Sequence, residues 1–129
     1  MKLLLMAMAI LEMITALALI SMPNLLVTLL LGVSLSETGG IILGRIAGLA
    51  LASLALGCWL SRNDTHRGLI MTKSMIVYNI GTVAVLGYAN LIQHLSGIGL
   101  WPAVLVHLGL GIWCMNCTLF IKRSKNLIK

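Results

Sequence analysis

Four polar side chains stand at positions where a polar group is costly. Glu12, Arg45, Asn79 and His107 each interrupt a different apolar run. Ionisable groups at such depth in a bilayer cost at least about 2.5–3.5 kcal/mol each, so they face inward and pair. Counted at about 1.5 Å per residue, the four fall in one layer, one from each run. Two chemistries fit. One is a proton or ion site, or a ligand pocket, with Glu12 titrating. The other is a Glu12–Arg45 ion pair, hydrogen-bonded to Asn79 and His107, that fixes how helices dock. An adjacent arginine lowers a carboxylate's pKa, so the pair favours the docking role. An Arg45 that snorkels to the surface leaves Glu12 free instead.

A second pattern lies on the last run. His107, Gly111, Cys114 and Thr118 are spaced i, i+4, i+7 and i+11, one face of a helix. Cys117 completes Cys114-Met-Asn-Cys117. His107, Cys114 and Cys117 are the candidate metal or haem ligands. That chemistry needs ligands converging from several helices, and a single Cys-x-x-Cys lacks the second pair of a zinc site. Buried cysteines also serve as small apolar side chains, the plainer reading here. Eight methionines suggest soft-metal handling, but no regular Met-x-x-Met array is present, so packing is their expected role. No catalytic or nucleotide-binding motif stands out, and neither an enzyme nor a resident cofactor is expected.

The elements that must carry these residues follow from composition. The chain of 129 residues is 60% hydrophobic and only 9% charged, where soluble domains have about 25% charged residues. So much apolar surface cannot be hidden in a core of this size, and the solvent must be partly lipid. The expected fold is all-α, a single domain of four transmembrane helices over about 3–21, 40–60, 69–90 and 101–121. A short interfacial helix is expected over about 24–31, between Pro23 and Gly32. The first run follows Lys2 like a leader's apolar region. Glu12 and its length favour a membrane helix instead.

On the first helix, Leu5, Met8, Ala9, Thr15, Ala16 and Leu19 share the face of Glu12. On the second, Gly40, Gly44, Gly48 and Ala52 recur at every fourth position and form a face for close helix packing. That face suits a neighbour within the chain or in another chain.

The net charge of +6 is read as topology rather than nucleic-acid binding. Lysine and arginine lie at the N-terminus, around Ser61–Arg67 with Lys73, and in a tail of Lys122, Arg123, Lys125 and Lys129. Apart from Arg45 within its span, the segments between carry none. The positive-inside rule then places both termini in the cytoplasm.

Several stretches carry a family likeness. Leu30-Leu31-Gly32 to Leu35-Ser36, Leu43-Gly44-Arg45-Ile46-Ala47-Gly48, Cys58-Trp59-Leu60-Ser61-Arg62, Tyr78-Asn79 and Leu100-Trp101-Pro102-Ala103-Val104 with His107 are in this set. Together they resemble a group of small uncharacterised bacterial four-helix membrane proteins. The resemblance covers most of the chain and implies the fold and a bacterial inner-membrane location, not a chemistry. In its short four-helix plan and one first-helix glutamate, the chain is also similar to small multidrug resistance transporters, whose glutamate exchanges protons for cationic drugs. Only Glu12 carries over. Arg45, the long polar loop at Ser61–Arg67 and the lack of aromatics near Glu12 depart from that pattern. The expected role is an accessory or structural subunit, in a lipid bilayer, packing with other membrane subunits or its own copies. A Glu12-centred proton-coupled transporter or channel is the alternative, and a metal- or haem-binding redox subunit the third.

Overall fold

The computed structural model describes residues 1–35 and 37–127, with side chains as far as Ile121. Lys129 and the side chains of Lys122, Arg123 and Lys125 in the basic tail thus lie outside the described set. The helices are α1 (Lys2–Ser21), α2 (Pro23–Leu31), α3 (Thr38–Ser61), α4 (Thr65–Leu91) and α5 (Leu100–Leu127). No strand occurs among the described residues. All but α2 include a segment long and apolar enough to cross a membrane.

Local chemistry accounts for the breaks. The residue before a proline is pushed out of the helical region. Met22 accordingly adopts φ −134° and ψ 58°, ending α1, and Pro23 starts α2 where its missing N–H is not needed. Gly32 closes α2 in the left-handed region at φ 74°, donating its N–H to the Thr28 carbonyl at 2.9 Å. Asp64 caps α4, its Oδ1 accepting from the Arg67 N–H at 2.8 Å. The polar stretch at Ser61–Arg67 therefore shrinks to a turn of Arg62–Asp64, because Thr65, His66 and Arg67 are already helical.

The short helix α2 is tied down rather than lying free. Its last carbonyls accept from the loop ahead of α5: Leu30 from the Gly97 N–H at 3.1 Å, Leu29 from the Gly99 N–H at 2.8 Å. A Cβ on Gly97 would collide with the Leu29 carbonyl, so only glycine lets the two backbones meet. Asn24 Oδ1 accepts from the Leu35 N–H at 2.7 Å and fastens the chain that leads into α3.

Packing divides the spans into two pairs, α1 with α3 and α4 with α5. The glycine row of α3 lets α1 approach at Gly48 and the chain that follows α1 approach at Gly44 and Gly40. A Cβ on Gly48 would stand 2.9 Å from the Ala16 carbonyl oxygen and 2.8 Å from Ile20. One on Gly44 would stand 2.9 Å from Pro23, and one on Gly40 3.2 Å from Leu35. Ala52 is half-buried on the same row. The two pairs meet through a core of Leu4, Leu5, Met8 and Ala9 from α1, Cys58 from α3, Met75 from α4, and Leu110 and Cys114 from α5. Large apolar side chains such as Leu43, Val77, Val85, Leu105 and Phe120 point outward. In lipid they need no cover, since acyl chains are as apolar as leucine.

Trp59 and Trp101 are both exposed, at opposite ends of the bundle. That is where aromatic belts sit. The Arg62 guanidinium stacks 3.8 Å from the centre of the Trp59 ring and donates to the Trp59 carbonyl.

Candidate functional site

The buried face of α1 is Leu4, Leu5, Met8, Ala9, Glu12 and Ala16. Glu12 is therefore turned into the bundle and is 2% exposed. Its Oε2 accepts a hydrogen bond at 3.0 Å from the Tyr78 hydroxyl of α4. Asn79, the next residue, is fully buried and turned towards α5. Its Nδ2 donates to the Met75 carbonyl one turn earlier at 2.7 Å, which leaves Oδ1 facing His107. His107 Nδ1 lies 2.9 Å from that oxygen. An amide oxygen only accepts, so Nδ1 is the donor in this contact. The Tyr78 and His107 rings meet edge to face, centroids 5.5 Å apart at 77°, a favourable aromatic geometry. Beside His107 and Asn79 is a small apolar cavity of about 80 Å³, also lined by Gly111.

The cluster thus joins Glu12, Tyr78, Asn79 and His107 from α1, α4 and α5. Arg45 is not in it. Its side chain is exposed on α3 between the outward Leu43 and Ile46. The reason is angular. Residue 45 follows Gly44 by one position, about 100° around the helix, so seating Gly44 on Pro23 and Gly48 on α1 turns Arg45 aside. It sits seven residues, about 10 Å, from the start of α3, where a long side chain can reach the headgroups. The expected Glu12–Arg45 pair is replaced by the Tyr78 hydrogen bond. Among the described residues the ion pair present is Arg67–Asp64, at 3.9 Å and exposed, of the kind worth little.

Tyr78 joins the layer beyond the four residues that the sequence marks. The Tyr78-Asn79 dipeptide inside a span was the available signal, since a buried phenol seeks a partner.

The cysteine pattern of α5 divides. Cys114 is fully buried against α1, its Sγ 3.9 Å from Met8 Sδ. Cys117 is half-buried beside it, and Cys58, Cys114 and Cys117 are all free thiols. His107 has Asn79 as its partner instead. Among the described residues, no group of three or more His, Cys, Asp or Glu side chains is placed to hold a metal.

Fold and site together define a multi-pass, all-helical membrane protein with a polar cluster inside its bundle. No family model, curated protein or solved structure matches the chain.

Proposed function

We propose that the chain is a non-enzymatic subunit of the bacterial inner membrane, with both termini cytoplasmic, that packs against a larger membrane complex or its own copies. The observation behind this reading is a set of glycines with open space before them. Nothing lies within 4 Å of where a Cβ would be on Gly81, Gly87 and Gly109. A helix-interior glycine costs about 1 kcal/mol against alanine, and in a membrane it gains contact only when another helix comes close. Gly81 lies in an open groove of about 370 Å³ on α4, with Val77, Thr82 and Val85.

Purification in mild detergent at native expression tests the reading. A foreign subunit in fixed ratio, or a homo-oligomer, supports it. Gly81→Leu and Gly109→Leu should dissociate the assembly yet leave a helical monomer. A wild-type chain that elutes as a monomer overturns it.

One observation favours the alternative, a small proton-coupled transporter or channel. Glu12 is bonded to Tyr78 and not to Arg45, so its carboxyl is free of a fixed cationic partner within the described residues. On that reading Glu12→Gln abolishes pH-driven uptake in vesicles while assembly persists. Uptake equal to wild type removes it.

A further inference from the structure

Each spanning helix contributes one sulfur to the buried core. Met8 comes from α1, Cys58 from α3, Met75 from α4 and Cys114 from α5, and all four are fully buried in one cluster. The sulfurs of Met8 and Cys114 are 3.9 Å apart. At a metal–sulfur bond of about 2.3 Å, two sulfurs sharing a three- or four-coordinate ion stand about 3.8–4.0 Å apart. From this convergence we infer that the sulfur core is a binding site for monovalent copper, Cu(I), held by Cys114 and Met8 with Met75 completing a three-coordinate shell and Cys58 packed beside it.

The ligand chemistry selects the ion. Thiolate and thioether are soft donors and take Cu(I) in preference to hard cations. Calcium and magnesium need several oxygen ligands, and the core cluster supplies none from its side chains. Binding exchanges one ion for one proton. A Cys114 thiol loses H⁺, its sulfur bonds to Cu⁺, and the proton leaves to solvent with no change of oxidation state. The thioethers of Met8 and Met75 add no charge, so with Cys114 as the one thiolate the loaded site is neutral.

An access route is present. Met1 and Cys117 pack against the sulfur core. Both also line an open cavity of about 520 Å³ with Trp113, Asn116 and Phe120. The cavity lies at the end of the bundle that carries Met1 and Thr65, the end the charge pattern assigns to the cytoplasm. Met71 also packs against the core. Sulfurs therefore run from the cavity to the centre, a sequence of soft ligands along which an ion can be passed.

The test uses the full chain purified in detergent, anaerobically, with Cu(I) supplied as its coloured bicinchoninate complex. The wild type should withdraw one Cu(I) per chain. Ag(I) should compete, and Zn(II) should not. X-ray absorption of the loaded protein should show sulfur neighbours. Cys114→Ala and Met8→Leu should each weaken binding by at least about tenfold, the least expected from loss of a direct ligand. Cys117→Ala should slow loading and leave the affinity in place. Met8→Leu and Met75→Leu conserve volume, so they decide the matter if a cysteine variant fails to fold. No withdrawal by wild type, equal affinity in the folded Met8→Leu/Met75→Leu protein, or copper lost only with Cys117→Ala overturns the site.

Discussion

Tyr78 donates to Glu12 across 3.0 Å, and this bond links α4 to α1 in the interior of the bundle. The backbones of the two helices approach closely at few points, and the rest of their contact is apolar. Phenylalanine at position 78 keeps the ring against His107 and removes the donor. A buried acceptor that loses its partner costs about 1–3 kcal/mol. Tyr78→Phe should lower stability by that amount in reversible SDS unfolding. Glu12→Gln should cost less, because the amide oxygen still accepts. The Tyr78→Phe/Glu12→Gln double variant should fall short of the sum, as interacting residues do. Full additivity would show that the bond carries no coupling.

Two glycines in the same chain should respond oppositely to alanine. At Gly48 a methyl group meets the Ala16 carbonyl and Ile20 below 3.0 Å, and overpacking of that kind costs about 1–3 kcal/mol. At Gly81 nothing stands within 4 Å, so alanine should stabilise the monomer by up to about 1 kcal/mol through helix propensity. Unfolding midpoints of Gly48→Ala and Gly81→Ala in the same detergent provide the comparison. Equal shifts would contradict the assignment of the α3 row to the α1 contact.

Gly97→Ala should detach the loop before α5 from α2. The added methyl group strikes the Leu29 carbonyl, and the Gly97 and Gly99 donors lose Leu30 and Leu29. Amide hydrogen exchange is the readout. Gly97 and Gly99 should exchange faster, while the amides of α1 and α3 keep their protection. Unchanged exchange at both glycines would mean the tie is not formed in the membrane.

Asp64 gives the bundle an acid-sensitive end. The Arg67 backbone N–H that it caps, and then the Arg67 charge, hold its carboxyl below the ordinary 3.8. A depressed folded pKa adds stability above the unfolded value, and that stability is lost as pH falls through the folded value. The carbon-13 signal of the Asp64 carboxyl in micelles should titrate with a midpoint below 3.8, and the Arg67 amide shift should follow it. Asp64→Asn should keep the cap and abolish that titration at Arg67. A midpoint at or above the ordinary value would show that the cap is open.

Much of the architecture was legible in the residue order because its causes are local. Length and hydropathy define the spans, since a bilayer needs about 20 apolar residues. Pro23, Gly32 and Pro102 mark starts and stops through their own backbone chemistry, whereas the Asp64 cap, which starts α4 four residues before the expected span, emerged only in the structure. The inward face of α1 was also readable, because Glu12 among Leu5, Met8, Ala9 and Ala16 breaks an otherwise uniform surface. Tertiary structure alone decided the rest. Periodicity gives each residue a depth and an angle about its own helix, and nothing about how that helix is rotated against its neighbours. In a soluble bundle the polar face supplies that rotation. Here both sides of α3, α4 and α5 are apolar, so the sequence carries no such contrast. Arg45 and Tyr78 were both within reach of Glu12 by depth. The close fit of Gly48 on α1 and of Gly44 on Pro23 turned Arg45 outward, and the seating of α4 brought Tyr78 in. The meeting of Met8, Cys58, Met75 and Cys114 has the same origin, because four helix rotations had to be set before their sulfurs shared one core.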